Sequence, residues 1–156
     1  MLLIAFIAFL FLFPYSKKIK KFKAEDVNWE IINKTKHYKE FDPSRLAFKK
    51  TYYYSDELQK LDQSTISIKG FLKKEKHGSH TDLLLTETVT DVCFMCNHDE
   101  MFMFIELIPE EKVSKLFGIT NDAYVQVEGT FHINRENNLL PPFRMEHAKL
   151  INTIHL

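Results

Sequence analysis

Polar and hydrophobic residues alternate with a period of two in several short stretches from residue 65 onward. The pattern is clearest in residues 65–70 and 124–131, which share the order apolar, polar, apolar, charged, glycine, with the glycines at Gly70 and Gly129. Such alternation is typical of strands that bury one face. A glycine inside a strand often marks a sharp bend or bulge, which a small closed barrel needs at its corners.

Further strands and one helix complete the predicted domain. Strands are expected over residues 65–70, 81–89, 101–108, 124–131 and 143–151, with a polar turn over 73–80. Residues 109–118 have proline first, acids in the first turn, helical spacing of apolar residues and glycine last, and these features predict a helix. Three strands, a helix and two strands is the order of an OB-fold barrel.

The predicted fold class is therefore mainly β with one short helix, an OB-fold-like β-barrel, preceded by an N-terminal hydrophobic helix. A different small β-barrel and an open α+β sheet stay open as alternatives. Residues 64–156 are assigned to the barrel, residues 17–63 to a basic and irregular lead-in, and residues 1–16 to a signal peptide or membrane anchor.

The N-terminal segment is an unbroken apolar run from Met1 to Phe13, followed by Pro14 and a cluster of lysines over residues 17–23. As a helix the run would be roughly 20 Å long, shorter than the ~30 Å hydrocarbon core of a bilayer. That length fits the hydrophobic part of a signal peptide or a short anchor. The cleavage site after it is poor, so both a cleaved signal and a retained anchor are kept. With a retained anchor the positive-inside tendency would place the lysines, and the domain after them, in the cytoplasm.

Two features of the lead-in carry structural expectations. Three consecutive tyrosines, residues 52–54, are expected to pack against the barrel rather than to stack on a ligand, because aromatic residues favour strands. Residues 55–61 are expected to form a helical turn capped by Ser55 or Asp56.

Charge and motifs limit the functional classes. Twenty-one basic residues balance twenty-one acidic ones, so the sequence has no net charge to favour nucleic acid. Spacing picks out no Ser/His/Asp arrangement, phosphate loop or carboxylate pair. No catalytic residue is predicted, and a non-enzymatic protein is favoured over an enzyme.

The densest group of metal-ligating side chains lies in residues 91–103, which hold both cysteines of the chain at C-x-x-C spacing. A tight turn lets two such thiolates reach one ion, which is why this spacing supplies half of many tetrahedral zinc sites. Cys93, Cys96 and His98 are predicted as metal ligands. The candidates for a fourth ligand are His77, His80, His132 and His147. Zinc is the expected ion, or copper, since three methionines lie in the same stretch.

Other states of the cysteine pair stay open. An oxidising compartment would favour a structural disulfide between Cys93 and Cys96. A catalytic thiol-disulfide pair is less favoured, because the motif precedes a strand and not a helix, whose N-terminus would lower a thiol pKa. Two buried and inert thiols are the remaining alternative.

Several motifs occur in a fixed order along the chain: Trp29, residues 58–61, the strand 65–71 with Lys69-Gly70-Phe71, the strand 82–85, Cys93-Phe94-Met95-Cys96 and residues 127–130. Together they resemble an exported bacterial domain-of-unknown-function family, numbered 3299. The resemblance covers about residues 29–151 and implies an OB-like domain with an export signal or lipid anchor and no established activity. Residues 97–100 differ from the glycine-rich stretch of that family, and no cysteine follows the apolar run to accept a lipid.

Together these observations predict an exported, periplasmic or membrane-anchored protein of a bacterial envelope. It would contact the membrane through its N-terminal segment and bind a metal ion or an envelope protein partner near the Cys93–Cys96 motif. The alternatives are a thiol-disulfide redox protein and an OB-fold interaction domain with a structural disulfide. Nucleic acid is not expected as a partner.

Overall fold

A computed structural model describes residues 24–44, 46–89, 103–110, 114–135 and 141–155. These ranges form a mainly β protein. In chain order its elements are β1 (Glu25–Val27), α1 (Trp29–Asn33), β2 (Lys36–Asp42), β3 (Ala47–Tyr53), α2 (Asp56–Leu61), β4 (Thr65–His77), β5 (His80–Thr86), β6 (Phe104–Pro109), a 3₁₀ turn (Lys115–Gly118), β7 (Ala123–Ile133) and β8 (Phe143–Thr153).

Five strands close into a barrel in the order β4-β5-β6-β8-β7, with β7 returning to pair with β4. The β6–β8 pairing is parallel and the other four are antiparallel. Strand β4 is long enough to take part in three pairings, since its first half also pairs with β1 in parallel. Strands β2 and β3 form a separate two-stranded antiparallel sheet.

The prediction of a mainly β protein with a closed barrel is confirmed. Inward-facing residues of the strands are buried as the alternation indicated, for example Ile66 and Ile68 in β4 and Val125 and Val127 in β7. The described ranges contain two short α-helices, α1 and α2, and neither lies in residues 109–118, where the sequence predicted its one short helix. The predicted N-terminal helix lies outside the described residues.

The predicted helix over 109–118 is not formed as expected. Pro109 is the last residue of β6, where it lies opposite Ala148 of β8, so the strand extends into the first helical position. Among the described residues of this segment only 115–118 are helical, in a 3₁₀ turn whose Ser114 side chain accepts a hydrogen bond from the Leu116 amide. Strand pairing outweighed the local signal of proline and acids.

The predicted polar turn over 73–80 is also shorter than expected. Strand β4 continues to His77 and pairs residue by residue with β5, and only Gly78 and Ser79 connect the two strands. Gly78 has a φ of 59°, a conformation that tight hairpin turns require and that glycine adopts without strain.

The two strand glycines, at which the sequence predicted a bend or bulge, lie where neighbouring atoms approach closely. Gly129 lies where the β7–β8 pairing shifts register, which is a β-bulge. A Cβ atom on Gly70 would lie 2.6 Å from the Thr86 carbonyl oxygen and 3.2 Å from the Trp29 ring. Both glycines therefore let the barrel wall bend around its core.

The segment predicted as irregular lead-in contributes to that core. From residues 24–61, Val27, Trp29, Ile32, Leu58 and Leu61 belong to one hydrophobic cluster with the inward residues of the barrel strands. The indole nitrogen of Trp29 donates a hydrogen bond of 2.7 Å to the Lys69 carbonyl. The Ser55 side chain caps α2 by accepting from the Leu58 amide, which confirms the predicted helical turn.

Candidate functional site

The predicted ligands Cys93, Cys96 and His98 lie outside the described residues. The structure does describe both ends of the connection that contains them. Thr86, the last residue of β5, lies opposite Phe104, the first residue of β6. Residues 87–103 therefore connect, along the chain, two residues that face each other across neighbouring strands.

The first end of this connection is held by side-chain hydrogen bonds. Thr86 is buried, and its hydroxyl donates to the Thr88 carbonyl at 2.9 Å, with the Phe71 carbonyl also within reach at 3.3 Å. The Glu87 carboxylate accepts a hydrogen bond of 2.7 Å from the Asn33 side chain at the end of α1. The position at which the cysteine-containing connection begins is thus fixed to β4 and to α1.

The length of the connection is unusual for two paired strands. Antiparallel neighbours are commonly joined by loops of about two to five residues, and connections longer than about 12–15 residues in compact domains are usually functional or disordered. Residues 87–103 exceed that range and contain both cysteines of the chain. This observation singles out the β5–β6 connection as the candidate site.

Among the histidines considered as a fourth ligand, His132 is closest to that connection in the strand register. It lies opposite Arg144, which in turn lies opposite Glu106 of β6, two residues after Phe104. Two strand spacings separate β7 from β6, so the His132 backbone is about 10 Å from Glu106. Its Nε2 atom is 3.5 Å from a Glu146 carboxylate oxygen, and Arg144 donates to Glu106 at 3.0 Å.

The other three histidines are farther from the connection. His77 and His80 lie opposite each other at the far end of the β4–β5 hairpin, about 20 Å along β5 from Thr86. The Nε2 atom of His77 is 3.5 Å from a Glu75 oxygen and 3.8 Å from an Asp82 oxygen, and that of His80 is 3.8 Å from the same Asp82 oxygen. His147 is exposed at the bulge of β8, with a φ of 53°.

Within the residues that the structure describes, no group of three or more histidine, cysteine, aspartate or glutamate side chains is arranged to hold a metal ion. No helix in the described ranges is long and apolar enough to cross a membrane.

A second surface was not singled out by the sequence. The sheet formed by β2 and β3, here called the β2–β3 hairpin and comprising residues 36–53, exposes both of its faces. Its exposed large hydrophobic residues are Tyr38, Phe41, Leu46, Phe48 and Tyr53. The sequence signal that could have found it is the turn Asp42-Pro43-Ser44 between two stretches that mix aromatic residues with lysines.

The tyrosine triplet joins this hairpin to the barrel. Tyr54 donates a hydrogen bond of 2.8 Å to the Asn134 carbonyl, and its ring lies 5.8 Å from that of Phe143 and 6.2 Å from that of Tyr52. Tyr53 instead faces solvent and donates to Glu40 at 2.9 Å. The expectation of packing against the barrel thus holds for Tyr54 and not for Tyr53.

The Tyr54 hydroxyl makes stability depend on pH in the alkaline range. Burial, and secondarily the neighbouring Tyr52, raises its pKa above the ordinary value of 10.0. Above about pH 10 the unfolded chain loses this proton while the folded chain keeps it, so the contribution is complete below that pH and is lost as the pH rises. In melting curves from about pH 9 to about pH 11, Tyr54→Phe is expected to flatten the fall in Tm.

The matched control for this prediction is Tyr53→Phe. The pKa of Tyr53 is raised by its hydrogen bond to Glu40, but the side chain is exposed, so solvent screens the interaction. The control should change the pH dependence of Tm less than Tyr54→Phe does. An unchanged slope in Tyr54→Phe would contradict the assignment.

No family model, curated protein or solved structure matches this chain. The resemblance to the exported domain-of-unknown-function family stays a prediction from the residues.

Proposed function

We propose that this chain is an exported or membrane-tethered OB-fold binding module that holds a zinc or copper ion at Cys93, Cys96 and His98, and that it serves as an accessory to an envelope protein partner. The observation that carries the proposal is the long cysteine-containing connection between two adjacent, paired barrel strands. The module has no proposed catalytic activity.

The strand order supports the OB-fold part of the proposal. If the barrel strands β4, β5, β6, β7 and β8 are numbered one to five, their order around the barrel is 1-2-3-5-4. Strand four (β7) pairs again with strand one (β4), and strands three and five (β6 and β8) are parallel. A five-stranded Greek-key barrel that binds ligands on the face of its second and third strands is the OB-fold. Residues 87–103 join those two strands, here β5 and β6.

The outer face of β5 and β6 does not favour a nucleic acid ligand. Proteins that bind single strands combine a basic groove with stacking aromatic residues. Asp82 and Glu106 lie on this face, and Leu84 and Phe104 are buried there in a small cluster of their own. The described part of the face offers no basic groove, since the Glu106 carboxylate is already paired with Arg144, and this supports a protein or metal ligand.

Metal analysis of the full chain, purified in mild detergent without chelator or reductant, tests the proposal. We expect one zinc or copper ion per chain, lost in the Cys93→Ser, Cys96→Ser double variant because both thiolate ligands of the predicted site are removed. His132→Ala should lower the metal content if His132 is the fourth ligand, and His80→Ala is its matched control at the far end of β5.

Thiol titration of the same samples separates the alternatives. Two free thiols after metal removal are expected from the proposal. A metal-free chain without free thiols would contradict it and favour a disulfide, and turnover of a dithiol substrate would then distinguish a redox pair from a structural bond.

A further inference from the structure

The β2–β3 hairpin carries apolar side chains at its tip that the barrel does not cover. Leu46 in the turn is 82% exposed, and Phe48 and Phe41 are 71% and 53% exposed. Phe41 lies opposite Phe48, and their rings are 5.5 Å apart in an edge-to-face arrangement. Clustered exposed apolar side chains on a soluble surface mark an interaction site more often than scattered ones do.

Lysines follow directly behind this tip. Lys39 and Lys50 lie opposite each other on the same face as Phe41 and Phe48, one alternation further from the turn, and Lys49 projects from the other face. The hairpin contains four lysines and two acidic residues among its described residues, so an anionic partner would complement its charge.

The turn of the hairpin exposes an aliphatic side chain in a backbone conformation that is unfavourable for it. Leu46 has a φ of 49°, in the left-handed region that glycine or asparagine adopts at lower cost. A two-stranded hairpin with both faces in solvent is marginally stable on its own. The aliphatic side chain at the turn therefore adds nothing to the barrel and is available to a partner.

From this arrangement we infer that the β2–β3 hairpin docks on an anionic lipid bilayer, with Phe41, Leu46 and Phe48 at the boundary between headgroups and acyl chains. In a bilayer surface the acyl chains lie deeper than the anionic headgroups. The apolar side chains at the tip would reach the acyl chains, while the lysines behind them would lie at the level of the headgroups. A nucleic acid would instead require stacking rings along a basic groove, and Leu46 offers no ring.

The inference rests on the membrane tether of the proposed function, although not on the metal. If Met1–Phe13 inserts, residues 14–23 can span at most about 35 Å before Ala24. The seven-residue strand β2 extends for about 24 Å. A tethered barrel would thus stay close enough to the bilayer for the hairpin tip to reach it.

Fluorescence of a single new tryptophan tests the contact. The full chain with Phe48→Trp is reconstituted in vesicles of equal parts phosphatidylcholine and phosphatidylglycerol, in which the phosphatidylcholine carries brominated acyl chains. Bromine quenches tryptophan only on close approach, and the native Trp29 is buried and gives a constant background. Ile151→Trp, at an exposed apolar position of β8, is the matched control.

We expect quenching in the Phe48→Trp chain and none beyond background in the Ile151→Trp chain. Adding Lys49→Ala and Lys50→Ala should lower the ratio of docked to undocked hairpin by about thirtyfold, because each lysine near an anionic surface contributes about 1 kcal/mol. Equal quenching in pure phosphatidylcholine would overturn the role of charge.

Flotation of the same vesicles separates the failures. A chain that floats without quenching at the hairpin would overturn the inference and leave the tether intact, whereas a chain that does not float would overturn both. If the tryptophan is not quenched by lipid and its emission instead shifts with protein concentration in the absence of lipid, the hairpin would contact a second copy of the chain. An emission change with oligothymidine and not with lipid would point to nucleic acid. Either of these results would overturn lipid docking.

Discussion

Replacing Gly70 by alanine is expected to lower the free energy of unfolding by about 3 kcal/mol. The added Cβ atom would lie 2.6 Å from the Thr86 carbonyl oxygen, 2.9 Å from Leu85 Cγ and 3.2 Å from Trp29 Cζ2. The nearest of these is a backbone atom of β5, which cannot move without disturbing the ladder between β4 and β5. The variant should therefore strain both the barrel and the residue at which the cysteine-containing connection begins.

Denaturant unfolding of the full chain in mild detergent measures this loss. Gly118→Ala is the matched control, because a Cβ atom at Gly118 would meet nothing within 4 Å. The control should unfold close to the wild-type midpoint, within about 0.5 kcal/mol. Equal midpoints for Gly70→Ala and wild type would show that β4 and β5 can separate far enough to relieve the 2.6 Å contact between the methyl group and the Thr86 carbonyl oxygen.

The barrel could be predicted from the sequence because its strands bury one face each. In β7 the alternation is complete, with Val125, Val127, Phe131 and Ile133 buried and their neighbours partly exposed. Gly129 fits the same pattern at the bulge. A period of two over many residues is a strong signal, and it does not depend on which strand lies next to which.

The errors arose where tertiary pairing decided the outcome. Pro109 has every local feature of a first helical residue, yet Ala148, distant in sequence, keeps it in β6. Lys73 to His77 contain no apolar residue, yet β5 provides a partner for each of them. Local composition does not reveal a partner strand, so polar strand ends and strand-to-helix boundaries are predicted less well than strand centres.

The candidate site was predictable in part. Spacing alone singled out Cys93 and Cys96, but it could not rank His132 above His77, because that order depends on the register of β6, β8 and β7. The hairpin was missed for a related reason. Residues 36–53 mix aromatic residues with lysines without a regular alternation, so an irregular lead-in was predicted there, and the pattern does not show that the barrel leaves Phe41 and Phe48 uncovered.

The second large effect is expected at Phe143, where alanine should lower the free energy of unfolding by about 4 kcal/mol. The ring is fully buried at the start of β8, and it stacks on Phe131 at 5.7 Å and meets Tyr54 edge to face at 5.8 Å. Removing it leaves a cavity between the barrel and the base of the hairpin. Both of these aromatic contacts would be lost together.

Phe48→Ala is the matched control, since it deletes the same side chain from the hairpin tip. Its ring is largely exposed, so denaturant unfolding should change by no more than about 0.5 kcal/mol. A large loss in Phe48→Ala would mean that the tip packs against the protein and would argue against lipid docking. A small loss, combined with weaker vesicle contact, would separate the two roles of phenylalanine in this chain: Phe143 stabilises the barrel, whereas Phe48 is retained at the surface for a partner.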